Sequence, residues 1–156
     1  MNLLRRKLLK TATFVGAMVS TIGIGVLVPQ RVLGAYAKMA FEAKDVSGAL
    51  TASMGSDRHS PSDAIKLKAP DIAENGAVVP VTVSSTISNV DAISIIASAN
   101  VAPLTSTYQL TSNSEAFVST RIKMAKTAEV IAVVKADGKL YSATKEVKVT
   151  IGGCGG

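Results

Sequence analysis

The chain has 156 residues, room for one domain of ordinary size, and its aromatic content is low, with three Phe, three Tyr and no Trp. Its formal charge of +6 points to a nucleic-acid partner only until the charges are located: Arg5, Arg6, Lys7, Lys10 and Arg31 all precede Lys38, no acidic residue does, and the remainder holds twelve basic against eleven acidic residues. A nearly neutral body lacks the electrostatic footprint that a phosphate backbone requires, and a single cysteine rules out an intramolecular disulfide.

Residues 1–37 read as an export signal. Leu4-Arg5-Arg6-Lys7-Leu8-Leu9-Lys10 forms a basic start, Thr11 to Val28 is uncharged, and small residues then offer cleavage after Ala37 or after Gly34. The paired arginines followed by Leu8-Leu9-Lys10 resemble the twin-arginine signal, with Leu8 where Phe is commoner. Export by that route implies a periplasmic protein with no stable membrane insertion after cleavage. An uncleaved anchor is the alternative, because the apolar run is nearly long enough to span a bilayer.

The segment from Ala40 to Met54 predicts one short amphipathic helix, with Phe41, Ala49, Leu50 and Met54 near helical spacing and Gly48 as a weak point. Gly55 to Asp63 is polar and reads as a loop; His59, the only histidine, reads there as a solvated side chain, with no second His or nearby Cys to make a metal site. Strand signals follow. Ile65 and Leu67 alternate with Lys66 and Lys68, Asn75-Gly76 marks a turn, and Val79, Val81 and Val83 alternate around Pro80, which argues for an edge or a bulge. Ala92 to Ala97 and Thr105 to Leu110 are rich in β-formers, and Val118, Thr120, Ile122 and Met124 share one face.

Glu129 to Lys135 and Lys139 to Ile151 flank Asp137-Gly138, a hairpin signal because both central residues need positive φ. About seven short strands at this spacing predict an all-β, immunoglobulin-like antiparallel β-sandwich over residues 38–151, with a short N-terminal helix. Asp45, Asp57, Asp63 and Glu115 read as scattered, solvated charges.

The chain ends in Gly152-Gly153-Cys154-Gly155-Gly156. Glycines on both sides of the cysteine remove the neighbouring Cβ atoms and predict a flexible arm over residues 152–156. Three residues past the strand let the sulfur sweep roughly 10 Å, at about 3.3–3.6 Å per extended residue. Such a thiol fits a role as a covalent attachment point that enters the active sites of other proteins. Activation must come from the receiving enzyme, since no cation is held near the sulfur and a free thiol has a pKa of about 8.5. No Ser/His/Asp set, paired Cys-x-x-C or phosphate-cradling loop is present, so no catalytic residues, metal or cofactor are expected. A frayed tail with an incidental cysteine, and an intermolecular disulfide anchor, remain as plainer readings.

The terminal Gly-Gly-Cys-Gly-Gly, the twin-arginine-like leader, the stretch Ala69-Pro70-Asp71-Ile72-Ala73-Glu74-Asn75-Gly76-Ala77-Val78-Val79-Pro80-Val81 and the helical Ala40-Phe41-Glu42-Ala43-Lys44 together resemble the SoxY family, sulfur carriers of the bacterial Sox thiosulfate-oxidation system. The resemblance implies an immunoglobulin-like sandwich paired with a smaller SoxZ β-sandwich that usually lacks its own leader. It also implies thiosulfate-derived sulfur intermediates held on Cys154 as cysteine S-conjugates. By the same resemblance, a c-type haem enzyme loads the arm, a di-manganese hydrolase releases sulfate, and in some organisms a sulfur dehydrogenase oxidises what remains. The competing class is a periplasmic β-sandwich adaptor or chaperone-like interaction domain, which needs no reactive thiol.

Overall fold

Branched aliphatic residues at alternate positions dominate the chain from Ile65 onward, and each such run becomes a strand with one or two buried faces. The computed structural model describes residues 38–150, so the export signal, Ile151 and the arm with Cys154 lie outside the described residues. A helical turn at 38–42 precedes helix α1 (Val46–Met54). The strands follow as β1 (Ser60–Pro61), β2 (Ile65–Lys68), β3 (Ile72–Ala73), β4 (Val79–Ser85), β5 (Val90–Ala97), β6 (Leu104–Gln109), β7 (Phe117–Ile122), β8 (Ala128–Ala136) and β9 (Lys139–Val149).

The fold is an all-β, immunoglobulin-like sandwich. A six-stranded sheet runs β1-β9-β8-β5-β6, with β3 also paired to β9, and a three-stranded sheet runs β2-β4-β7. The seven strands of four or more residues pair antiparallel, as expected. The two additional strands, β1 and β3, are two residues each and run parallel to β9. Between the sheets lie Val79, Val81 and Val83 from β4, Ile93 and Ile95 from β5, and Val130, Val134 and Val147 from β8 and β9, all fully or almost fully buried. Each such side chain contributes roughly 1.5–3 kcal/mol through burial.

The outer face of the large sheet is not solvent. Ala49, Leu50 and Met54 of α1 pack on Ala92, Ile96, Leu104, Ile131, Val133 and Leu140, making a third layer. This explains the unbroken apolar run from Val130 to Val134: β8 is covered on both faces, so its alternation disappears.

The predicted helix from Ala40 to Met54 is interrupted at 43–45. The cause is local chemistry. Asp45 adopts extended backbone and its carboxylate accepts a hydrogen bond from the Gly48 N–H at 2.7 Å, capping α1, which then ends on Gly55 at φ 86°. Asp45 is therefore a capping residue rather than a free charge. Asp57 likewise accepts from the Ser47 hydroxyl at 2.6 Å, which together with its own backbone N–H holds its exposed carboxyl below the usual range.

Asp137 (φ 50°) and Gly138 (φ 73°) occupy the hairpin turn with the positive φ values expected of them. Pro80 lies within β4, opposite Arg121 of β7, but pairing with β2 begins only at Thr82. On its β2 side Pro80 is thus at an unpaired edge, where a missing N–H costs nothing.

The end of the last strand as the candidate functional site

All sequence-derived site residues (Cys154 and its flanking Gly152, Gly153, Gly155 and Gly156) lie outside the described residues; the structure describes the platform from which they depart. That platform is the C-terminal end of β9, held from both sides.

On one side runs the segment Ala69–Gly76. Lys145 of β9 donates to the Ala69 carbonyl at 2.6 Å and forms an ion pair with Asp71 at 2.9 Å. The Lys148 N–H donates to the Asp71 carbonyl at 2.9 Å, β3 pairs Ile72 with Lys148 and Ala73 with Val149, and the Thr150 N–H donates to the Ala73 carbonyl at 3.1 Å. At this end of β9 the Lys148 and Thr150 N–H groups are thus both satisfied by this segment. The Lys145 ammonium, first by its hydrogen bond and then by its charge, holds the exposed Asp71 carboxyl below its ordinary range.

On the other side, the loop from Lys123 to Thr127 closes over the strand. The Val149 N–H donates to the Thr127 hydroxyl oxygen at 3.0 Å, and the Met124 N–H donates to the Gly76 carbonyl at 2.7 Å, with the Met124 side chain buried in the core. Gly76 is required by close approach. A Cβ there would overlap the Met124 carbonyl oxygen and sit 2.8 Å from Val149 Cγ1. The Asn75-Gly76 turn is formed as expected, with the Ala77 N–H donating to Asn75 Oδ1 at 2.9 Å.

His59 departs from its expected role. It is half-buried, and its Nδ1 lies 2.9 Å from the Oγ of Ser142, itself buried in β9 next to the β1 pairing. It anchors the loop to the sheet because β1 brings it there. Among the described residues, no group of three His, Cys, Asp or Glu side chains converges on a metal-sized space. The brace formed by Lys145, Asp71 and Thr127 was not readable in the sequence, because partners so distant along the chain leave no periodic trace.

Comparison with known proteins agrees with this architecture. The family model for the sulfur oxidation protein SoxY matches residues 50–154. The structure of the sulfur carrier protein SoxY from Chlorobium limicola f thiosulfatophilum superposes with a TM-score of 0.60 at 48% identity, covering 66% of this chain and 94% of that one. A superoxide reductase (neelaredoxin) from Ignicoccus hospitalis aligns with a TM-score of 0.50 at 18% identity, over 56% of this chain and 80% of its own, a likeness of fold alone. The search of curated proteins gave no match. A β-sandwich with this match is a carrier of sulfur in thiosulfate oxidation. The chain belongs to the SoxY family, and membership implies partnership with SoxZ.

Proposed function

We propose that Cys154 is the point of attachment, and that the sulfur intermediate travels on it as a covalent cysteine S-conjugate. The observation that carries this reading is the anchoring of β9. The strand is fixed to Thr150 by Ala73 on one side and at Val149 by Thr127 on the other, so a chain of glycines and one thiol departs from a defined point. The family match also extends through Cys154. Anchored at its root, the arm presents the thiol at a set distance; glycine on both sides keeps it narrow enough for an enzyme cleft.

On this reading the chain is not itself an enzyme. Gly152, Gly153, Gly155 and Gly156 act as the hinge, and the sulfur chemistry belongs to the partners: a c-type haem loading enzyme, a di-manganese sulfate-releasing hydrolase and, in organisms that have it, a sulfur dehydrogenase. The protein works in the periplasm as a heterodimer with SoxZ, exported on the Arg5-Arg6 signal.

The test is intact mass on protein purified from thiosulfate-grown cells without reductant, repeated after reduction. Reducible additions of sulfur, sulfite or thiosulfate size on the Cys154 peptide are expected. A bare thiol in every preparation, or a plain disulfide dimer, would overturn the reading. Cys154→Ser should keep the fold and abolish thiosulfate-dependent oxidation.

A further inference from the structure

The two sheets share one open side. Strand β6 ends the large sheet and β7 ends the small one, and a cleft of about 310 Å3 lies between them, lined by Leu104 and Thr105 on one side and Thr120 and Ile122 on the other. The sheet edges of this domain are not treated alike. β2 carries the exposed Lys66 and Lys68, β7 carries Arg121 and is followed by Lys123, and the far edge of the large sheet is covered where β1 and β3 pair with β9. Charges and covering segments of this kind keep an edge from pairing with another chain. Strand β6, Leu-Thr-Ser-Thr-Tyr-Gln, has neither: it holds no charged residue and no proline, and among the described residues no strand covers it.

The direction of its free groups follows from the ladder. The Leu110 N–H donates to the Asp91 carbonyl at 2.8 Å, and antiparallel bonding alternates from one residue to the next. Tyr108 and Ser106 therefore turn their backbone groups to β5, while Thr107 and Gln109 turn theirs outward. Among the described residues no other segment bonds those outward groups.

A six-residue edge alone is less than a stable interface needs, which is roughly 800 Å2 from each partner. Apolar side chains extend it. Val101 is 76% exposed in the loop that Asn100 ties to the Lys123 carbonyl, and Phe117 is 51% exposed at the start of β7, so the open side is flanked at both of its ends. A strand added to β6 continues the large sheet, and its inward side chains cover the cleft. A second copy of this chain set edge to edge would bring two β7 strands together, each with Arg121 and Lys123 and no acidic residue, cation against cation. A chain of different sequence fits better.

We propose that SoxZ pairs a strand with β6, bonding the Thr107 and Gln109 backbone groups, covering Val101, Phe117 and the cleft, and turning acidic rather than basic side chains toward Arg121 and Lys123. The open edge rests on this chain's own residues; the choice of SoxZ rests on the partnership that family membership implies.

The test is amide hydrogen exchange, followed by NMR, of the full chain alone and after titration with SoxZ. The Thr107 and Gln109 amides should slow at least tenfold in the complex, whereas the Ser106 and Tyr108 amides, already bonded to β5, should be slow in both states. Gln109→Pro removes an outward N–H that β5 does not use, so it should keep the fold and weaken SoxZ binding at least tenfold by calorimetry. Lys66→Gln with Lys68→Gln, on another edge, should leave binding unchanged. Equal weakening by both variants, or a complex in which Thr107 and Gln109 exchange as in the free chain, would overturn the proposal and leave the partnership standing. Absence of SoxZ binding by the wild-type chain would overturn the partnership itself, and the β6 placement with it. Protection of the same amides that grows with the concentration of this chain alone would make a second copy the occupant and overturn SoxZ in that place.

Discussion

The Lys145 ammonium lies 2.9 Å from an Asp71 carboxylate oxygen and 2.6 Å from the Ala69 carbonyl, tying the segment that leads into β3 to the middle of β9. Through that contact the strand that leads to the arm is held in register by a segment that otherwise contributes only a two-residue strand.

The Asp71 carboxyl is held below its ordinary value of 3.8, so its contribution to stability is present above that pH and lost as pH falls through the lower folded value. Asp71 is exposed, and the effect is small. Thermal melts below pH 4 should show the wild-type advantage over Asp71→Asn shrinking toward zero, with the full difference present at pH 6. A difference that grows on acidification would contradict the ion pair.

Gly76→Ala should destabilise the domain by about 1–3 kcal/mol, because the added methyl must displace the Met124 carbonyl or Val149. Urea denaturation measures it. Gly138→Ala, where no atom lies within 4 Å but φ is 73°, separates crowding from backbone strain and should cost about 1–2 kcal/mol.

Leu50→Ala should cost about 2–5 kcal/mol, since Leu50 is the buried side chain by which α1 covers Ile96, Ile131 and Val133. Equilibrium unfolding gives the value. A loss below 0.5 kcal/mol, the usual range of a surface change, would mean that the helix does not stabilise the sheet.

Replacing Arg5 and Arg6 with Lys should leave both this chain and its SoxZ partner in the cytoplasm, if one leader carries a folded pair across. Fractionation followed by blotting for both subunits is the measurement. Export of SoxZ alone would refute the shared-leader scheme.

The hairpin of β8 and β9 was legible because Asp137-Gly138 encodes its own turn geometry, and the two-residue period of β2, β4 and β7 was legible because one face of each meets solvent. The break at Asp45 was missed because a capping carboxylate competes with apolar spacing, and the spacing from Phe41 to Met54 continued across it. Strands β1 and β3 left no signal, since two residues cannot establish a period, and His59 read as solvated because its partner Ser142 lies on a distant strand.

By itself the sequence determined the β-sandwich class, the likeness to SoxY and the placing of one thiol among glycines at the chain's end, because these depend on local period, turn chemistry and composition. Tertiary structure alone decided which segments brace the root of the arm and that a helix covers the second face of β8. Those arrangements depend on contacts between residues far apart in the chain, which the pairing of strands creates and no local pattern records.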